Sequence, residues 1–339
     1  MSVCTNSPFI QGQNENYYPS VCIIIAYFGK LPHYADLWLK TCSWNKTIDF
    51  IVYTDTDMNN VPSNVKVIKN SFKSFQAIVK EKLKQDVVLN TPYECCDFKT
   101  VYGKIFEDYL TGYDYWGYCD MDMLFGDLRW FFIQYRLELY DKFQSVGHLT
   151  LFRNTKENNE RYKLPCNPGK GYLDAFSTPG STHFCESEIN QIFNAFSFRF
   201  FNERIHADIS PEYKRMRLSI RTTSKSVNYK YQTFYWQNGK VWRAFLQNNG
   251  VWSGVFVEEF MYIHFQKRVM DKINFDINKV NAFYVCPNRF MKKECLGYPN
   301  LFDIKNTNPY SFGLQDLKDT LKIQFRRISR RLRLFKCFP

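Results

Sequence analysis

The sequence predicts an α/β fold in which an open, mostly parallel sheet is flanked by helices on both faces. In the first half of the chain, continuous apolar runs alternate with segments whose apolar residues have helical spacing. Such alternation is typical of a sheet built from βαβ units. The chain has 339 residues, of which 45% are hydrophobic and 23% are charged, so we expect one soluble domain with added elements.

The first two strands and the helix between them form the clearest βαβ unit. Residues 21–28 (VCIIIAYF) are an apolar run that ends at Gly29, and residues 49–55 (DFIVYTD) are a second run that ends in an acidic turn. Both runs are typical of buried parallel strands. Residues 34–43 (YADLWLKTCS) have helical apolar spacing, which predicts the crossover helix between them.

The alternation continues as far as residue 124. It predicts a third strand, two helices and a fourth strand at residues 64–68, 73–85, 100–110 and 113–124. Ligands of open α/β sheets bind beyond the carboxyl ends of the strands. The polar residues at those ends, around Tyr27, Asp55 and Asp120, are therefore predicted to lie along one rim.

The second half of the chain has a weaker pattern. Residues 155–180 lack periodicity and predict a long loop, while residues 188–198 predict a short helix. The Asn238-Gly239 pair predicts a β-hairpin between residues 227–236 and 240–245, and residues 256–265 predict a further strand. We therefore divide the chain into four parts: a polar leader (1–20), a first half with the βαβ pattern (21–154), a second half with the weaker pattern (155–312) and a basic tail (313–339).

The cysteines and the N-terminus favour the cytoplasm. The eleven cysteines are odd in number, scattered and without CxxC spacing, which indicates neither a disulfide framework nor a zinc site. The leader has no basic or apolar region typical of a signal peptide, and the longest apolar run is too short to span a bilayer. The sequence thus predicts an intracellular protein without a membrane-spanning segment.

Asp120 and Asp122, in CDMDMLFGD, are the strongest candidates for a metal site. Residues two apart on an extended strand point to the same face, so both carboxylates are predicted to lie together. Hard carboxylate oxygens suit Mg²⁺ or Mn²⁺ bridging to a diphosphate. The alternative is a solvated turn that carries two unrelated acids.

A resemblance to a known family adds to this interpretation. It rests on four segments: residues 96–103 (CDFKTVYG), 114–127 (DYWGYCDMDMLFGD), 147–154 (GHLTLFRN) and 262–268 (YIHFQKR). Together they resemble bacterial polysaccharide-biosynthesis glycosyltransferases (the capsule and exopolysaccharide type) of the Rossmann-like GT-A fold. The chain is also distantly similar to glycosyltransferase family 8, although the spacing from His264 to Lys267 is shorter than in that family.

The resemblance implies a set of residues that bind a nucleotide-sugar donor: Ala26, Tyr27, Phe28, Asp55, Asp97, Lys99, Asp120, Met121 and Lys267. Tyr27, Phe28 and Asp55 would surround the nucleotide base, and Asp97 and Lys99 would lie near the ribose or the sugar.

The resemblance also implies that Asp120, Asp122 and His264 ligate the metal, with Lys267 on the diphosphate. A neutral imidazole is an acceptable manganese ligand beside two carboxylates, and a lysine is a suitable point charge for a phosphate. His264 could instead be a hydrogen-bonded histidine within a strand, and Lys267 an ordinary surface charge.

The catalytic group is less well defined by the sequence. An inverting transferase needs a carboxylate as general base, whereas a retaining one can use the leaving phosphate or a carboxylate nucleophile. Glu186, in HFCESEIN, and Asp208, in IHADI, are the catalytic candidates, although each could be structural. Asp127 is expected to cap a helix.

The basic tail predicts contact with a membrane. Apolar residues recur at helical spacing from Leu321 to Phe335, and the segment from Lys322 onwards contains seven basic residues and no acid. A basic amphipathic helix of this kind is typical of binding to anionic lipid at the inner face of the membrane. The alternative is that the apolar stripe packs on the catalytic domain.

These observations predict a cytoplasmic, peripheral-membrane glycosyltransferase that moves a hexosyl unit from a nucleotide sugar, UDP-linked, to a lipid-linked saccharide. A nucleotidyltransferase is an alternative, but it typically has a glycine-rich phosphate loop that residues 26–29 do not supply. The net charge of +12 would also suit a nucleic-acid-binding protein. We expect no nucleic-acid partner, because the densest basic cluster is the terminal amphipathic segment.

Overall fold

A computed structural model describes residues 18–166, 171–219, 227–248, 253–310 and Leu321. The helix predicted for the basic tail therefore lies outside the described residues, apart from Leu321. Most of the leader also lies outside them. In the described part of the chain, no helix has the length and apolar character that crossing a bilayer requires. The cysteines of this part are all free thiols.

The strands, numbered in chain order, have the following bounds: β1 Val21–Tyr27, β2 Ile48–Thr54, β3 Val65–Lys69, β4 Tyr115–Cys119, β5 Met123–Phe125, β6 Lys142–Phe143, β7 Leu149–Arg153, β8 Phe200–Phe201, β9 Ala207–Asp208, β10 Gln232–Gln237, β11 Lys240–Asn248, β12 Ser253–Phe260, β13 Tyr262–His264, β14 Ala282–Cys286 and β15 Arg289–Lys292.

The α-helices are short except for the first two: α1 Ala35–Trp44, α2 Phe72–Leu83, α3 Cys95–Phe98, α4 Tyr102–Ile105, α5 Leu128–Gln134, α6 Lys156–Glu160, α7 Tyr172–Ser177, α8 Glu188–Ala195 and α9 Leu301–Thr307. Short 3₁₀ turns join several of them, among them Pro92–Glu94, which precedes α3.

The described strands form three sheets. The largest has the order β3-β2-β1-β4-β7-β6-β8, the second has the antiparallel order β12-β11-β10-β14-β15, and the third is β5-β13-β9. In the largest sheet β1 to β4 are parallel, while β7 pairs antiparallel with both β4 and β6. The predicted α/β class with a parallel sheet and flanking helices is confirmed, although the sheet is mixed.

Two hydrophobic cores cover the two faces of the large sheet. Along β1, Ile23 and Ile25 belong to one core and Ile24 to the other, as the two-residue period of a strand requires. The first core is completed by α1 and by the inner face of the five-stranded sheet. The second includes Phe75 of α2 and Tyr102 of α4. The sheet is therefore buried on both faces, as the apolar runs predicted.

The predicted fourth strand, residues 113–124, is wrong in its extent. β4 ends at Cys119, and β5 begins at Met123 in a different sheet. The Asp120 amide continues the ladder by donating to the His148 carbonyl at 3.0 Å, and the Asp122 carbonyl accepts from the Phe265 amide at 2.8 Å. Asp120 and Asp122 thus lie in the connection between two sheets. In this position their carboxylates stay out of the apolar cores.

Two other predicted elements are divided. Residues 256–265 form β12 and β13, which belong to different sheets and are separated at Met261, whose amide donates to the Ile205 carbonyl. Residues 100–110 form α4 between two 3₁₀ turns rather than one helix. Gly103 of α4 touches the Trp116 ring so closely that a Cβ would lie 2.5 Å from it. Only glycine permits this approach.

Elsewhere in the second half, the structure differs from prediction in one place and agrees in two. Residues 155–180 contain α6 and α7, so they are not one long loop. The hairpin is confirmed, because β10 and β11 pair antiparallel around Asn238 and Gly239, whose φ angles of 49° and 79° suit a tight hairpin turn. The predicted helix at residues 188–198 is α8, which ends three residues earlier.

Candidate functional site

One large cavity lies at the carboxyl ends of β1 and β4. Its volume is about 1370 Å³. This exceeds the roughly 300–1,000 Å³ typical of pockets for drug-sized ligands. The cavity is lined by nearly all of the site residues that the sequence predicted: Ala26, Tyr27, Phe28, Lys99, Asp120, Met121, Asp122, Glu186, Asp208, His264 and Lys267. The structure thus brings together residues from both halves of the chain, and only the predicted Asp55 and Asp97 lie off this lining.

Asp120 is paired with a buried lysine. The Lys99 ammonium contacts Asp120 Oδ1 and donates to the Gly147 carbonyl at 2.8 Å. Burial by itself lowers the pKa of Lys99, but the Asp120 carboxylate outweighs burial and raises this pKa well above its usual range. Lys99 is therefore a cation at neutral pH, and its charge lies against one of the two predicted metal ligands.

Asp122 is linked through His264 to a second carboxylate. His264 Nε2 lies 3.4 Å from Asp122 Oδ1, and His264 Nδ1 lies 2.8 Å from Asp208 Oδ1. Burial alone would lower the pKa of His264, yet the hydrogen bonds to the two carboxylates raise it to about 10. Burial likewise opposes ionisation of Asp122, but His264 and the Lys267 amide lower the pKa of this carboxyl to about 2.

Asp120, Asp122 and His264 fit a divalent cation. One ligand atom from each lies within 4.8 Å of the others. Mg²⁺ holds its ligands at about 2.1 Å, so two atoms on opposite sides of one ion are about 4.2 Å apart. The three ligand atoms are therefore within reach of one ion. Two carboxylates with one neutral imidazole also form a donor set that suits Mn²⁺, and the ion would displace the Nε2 proton that the two carboxylates otherwise retain on His264.

The turn after β13 holds Lys267 at the cavity. Gln266 and Lys267 both have positive φ angles, 49° and 62°, a conformation that is uncommon outside glycine and is costly to keep. The Lys267 amide donates to Asp122 Oδ2 at 2.6 Å, which holds this turn against the carboxylate. Its exposed ammonium lies 4.0 Å from the centre of the Tyr93 ring. An exposed cation therefore lies beside the candidate metal site.

All five histidines of the chain line this cavity: His33, His148, His183, His206 and His264. The His148 ring stacks on His264 with a centroid distance of 4.1 Å, and His148 Nδ1 lies 3.0 Å from the Tyr262 hydroxyl. Burial lowers the pKa of His148 well below its usual range and that of His206 to about 3. Both imidazoles are therefore neutral, so they contribute polar but uncharged groups to the cavity lining.

Sequence reasoning singled out only His264 among these histidines. His148 lies within the GHLTLFRN segment and His206 within IHADI, but neither forms a recognisable ligand spacing with His264. One signal was available: a chain with only five histidines had one in each of four segments considered for function.

The structure gives Asp97, Asp55 and Phe28 supporting positions. The buried Asp97 carboxylate accepts from the amides of Thr182 at 2.7 Å and Phe184 at 2.9 Å, so it holds the loop before Glu186. Asp55 accepts from the Gly29 amide at 2.8 Å and fixes the turn after β1. The Phe28 ring packs among aromatic rings of the second core, 5.1 Å from that of Phe72.

The two catalytic candidates differ sharply in their surroundings. Glu186 is exposed at the cavity wall, where it packs against Gly147. Asp208 is buried, and both of its oxygens are hydrogen-bonded: Oδ1 to His264 Nδ1, and Oδ2 to the side-chain amide of Gln266, which donates at 2.5 Å. Asp208 thus orients His264, and Glu186 is the carboxylate that remains accessible.

Comparisons with known proteins identify a family and distant structural likenesses. The model of a family of unknown function (DUF6625) matches residues 23–294. No curated protein matches the chain. A crystal structure of the galactosyltransferase LgtC with donor and acceptor sugar analogues matches with a TM-score of 0.32 and 12% identity, over 56% of this chain and 75% of that one. A TM-score this low does not establish a shared fold.

Proposed function

The chain belongs to the family of unknown function DUF6625, and we propose that it is a metal-dependent glycosyltransferase of the GT-A type. Its donor would be a nucleotide sugar, UDP-linked, and its acceptor a saccharide hydroxyl. One observation carries the proposal. Asp120, Asp122 and His264 bring three ligand atoms within 4.8 Å in the wall of a large cavity, at the carboxyl edge of a parallel sheet.

The residues around this cluster suit a diphosphate. A bound Mn²⁺ or Mg²⁺ would neutralise the charge that develops on the nucleotide diphosphate as it leaves the sugar. Asp120, Asp122 and His264 would hold that ion. Lys267, exposed and close to Asp122, can place its ammonium on a phosphate oxygen. Two carboxylates, one imidazole and the Lys267 ammonium at one end of the cavity therefore match a metal-diphosphate group.

The rest of the cavity has room for a sugar and an acceptor. Tyr27 lies half-buried at the end of β1, where its hydroxyl donates to the Lys30 carbonyl at 3.0 Å, so its ring can form one wall of a base pocket. Glu186 is an exposed carboxylate of the cavity lining and is our candidate for the group that acts on the acceptor hydroxyl or the sugar.

A ligand screen tests the proposal. With Mn²⁺ present, we expect at least one nucleotide sugar to raise the melting temperature of the protein, because binding to the folded state stabilises it. Chelation of the metal should remove this shift. If no nucleotide sugar stabilises the protein while nucleic acid binds tightly, the proposal fails.

Asp208 is proposed to position a metal ligand. Its carboxylate accepts from His264 Nδ1, which directs Nε2 towards Asp122. We expect Asp208→Asn to weaken Mn²⁺ binding by roughly 10–100-fold, as losing an outer partner of a histidine ligand typically does. Isothermal titration with Mn²⁺ measures this change. Asp86→Asn, at a fully exposed carboxylate, is the control, and equal Mn²⁺ affinity in both variants would refute the role.

The basic tail is proposed to hold the enzyme at the inner face of a membrane, where a lipid-linked saccharide would be the acceptor. Its cations attract anionic lipid by about 1 kcal/mol each near the surface. We expect deletion of residues 318–339 to reduce binding to phosphatidylglycerol-containing vesicles to the level seen with phosphatidylcholine alone. Donor hydrolysis should be kept. Undiminished binding to the anionic vesicles would contradict this role.

A further inference from the structure

His183 is an exposed histidine in the loop that precedes α8, and it lines the cavity together with Glu186. The Glu186 amide donates to the His183 carbonyl at 2.9 Å, so one tight turn carries both residues. Among the described residues, none forms a hydrogen bond with the His183 imidazole. The proposed function uses Glu186 but leaves this accessible imidazole without a role.

The backbone of His183 is held in a costly conformation. Its φ angle is 60°, which is uncommon outside glycine and persists only where the surrounding structure fixes it. The buried Asp97 carboxylate accepts from the two amides that flank His183, at 2.7 and 2.9 Å. The buried Glu94 carboxylate accepts from the Gly180 amide at 2.9 Å. Two buried acids therefore fix the loop in the shape that places His183 at the cavity.

The loop lies at the end of the cavity where the candidate metal ligands are found. Glu186 packs against Gly147, whose carbonyl accepts from the Lys99 ammonium at 2.8 Å, and Lys99 in turn contacts Asp120. The Asn190 side-chain amide donates to the Glu186 carbonyl and holds the turn from its other side. The side chains of this turn therefore border the space beside the proposed diphosphate position, where the donor sugar and the attacking hydroxyl must meet.

We propose that His183 is a catalytic residue that takes the proton of the attacking hydroxyl, an inference that rests on the proposed glycosyltransferase function. As the O–H bond breaks, the proton passes to the imidazole and the oxygen forms a bond to the anomeric carbon. The bond from this carbon to the diphosphate breaks, and its electron pair leaves with the diphosphate. Histidine is the side chain that most often accepts a proton in this way. Glu186 is then left to contact the sugar.

Release of nucleoside diphosphate from a panel of nucleotide sugars tests the proposal, with Mn²⁺ present and water in place of the acceptor. The variant is His183→Gly, which removes the imidazole and adopts a φ angle of 60° without strain. The matched control is Lys84→Gly, at an exposed residue with a φ angle of 51° outside the cavity lining. We expect release by His183→Gly to be roughly 100-fold slower or more, and release by Lys84→Gly to match the wild type. Both variants should melt no lower than the wild type.

Free imidazole distinguishes a catalytic His183 from one that only shapes the loop. Added imidazole can enter the space left by His183→Gly and accept the proton, so it should restore part of the release by this variant and change release by the wild type little. A second variant, His183→Asn, keeps a side chain that tolerates positive φ angles but cannot accept the proton. It should be as slow as His183→Gly.

Two results would overturn this role of His183 alone. The first is release by His183→Gly and His183→Asn at the wild-type rate. The second is slow release by His183→Gly that imidazole does not raise, which would assign His183 to loop structure or to donor binding. A wild-type protein that releases no diphosphate from any donor is a different outcome, because the proposed function then fails and the role of His183 fails with it.

Discussion

Replacing Asp122 by alanine is expected to abolish manganese-dependent binding of a nucleotide sugar while the protein stays folded. The carboxylate is a candidate ligand, and it also holds His264 and the Lys267 amide in place. Its loss therefore removes one ligand and loosens two further groups that face the donor. We expect Mn²⁺ affinity to fall by more than the roughly 10–100-fold that loss of an outer partner causes. Titration of Mn²⁺ and donor into the variant measures both affinities.

Stability must be checked alongside binding, because Asp122 is partly buried and hydrogen-bonded. The expected loss is about 1–3 kcal/mol in the free energy of unfolding, which most proteins tolerate. Asp86→Ala removes a fully exposed carboxylate and should change neither affinity nor stability. If Asp122→Ala binds Mn²⁺ and donor as the wild type does, the metal assignment is wrong.

Replacing Lys99 by methionine is expected to move two affinities in opposite directions. The Lys99 ammonium contacts Asp120 Oδ1, so it competes with a divalent cation for the same carboxylate. Removing a charge a few ångströms from the ion relieves a repulsion of several kcal/mol, and we expect Mn²⁺ to bind at least roughly tenfold tighter. The donor should bind more weakly, because a lysine expected near its ribose or sugar is lost.

Opposite changes in the affinities for Mn²⁺ and donor distinguish a Lys99 that competes with the ion from one that only stabilises the fold. If Lys99 were purely structural, its replacement would destabilise the fold and weaken the binding of both Mn²⁺ and donor. The matched control is Lys104→Met, which removes a lysine paired with Glu107 at 2.8 Å outside the cavity lining. It should bind Mn²⁺ and donor as the wild type does. Weaker Mn²⁺ binding by Lys99→Met would show that Lys99 does not compete with the ion.

The sequence predicts the fold well where burial dominates and poorly where sheets meet. β1 and β2 are buried on both faces, so their apolar runs identified them. The strand predicted through Asp120 and Asp122 ends early because the ladder passes to a second sheet after Asp120. Periodicity cannot show this, since both pieces are apolar. Only the partner strand, β13, distinguishes them, and it lies some 140 residues away in the sequence.

The candidate site, too, could be predicted from the sequence only in part. Asp120 and Asp122 were predicted from their place after an apolar run, and His264 from a resemblance in its segment. Asp97 looked like a donor-binding acid in the sequence, yet its oxygens accept two loop amides, a role visible only once residues 182–184 are placed beside it. Likewise, Asp208 was a catalytic candidate by its residue type alone. Its engagement with His264 depends on the pairing of β9 with β13.

Turnover of nucleotide sugars is the most direct test of the central claim. Purified protein is incubated with a panel of nucleotide sugars and Mn²⁺, and release of free nucleoside diphosphate is followed with and without chelator. For a metal-dependent glycosyltransferase, we expect at least one donor to release nucleoside diphosphate. The release should be lost on chelation and absent in Asp122→Ala. Folded protein that releases no diphosphate from any donor, or releases it equally with chelator or in Asp122→Ala, would contradict the assignment of a metal-dependent glycosyltransferase.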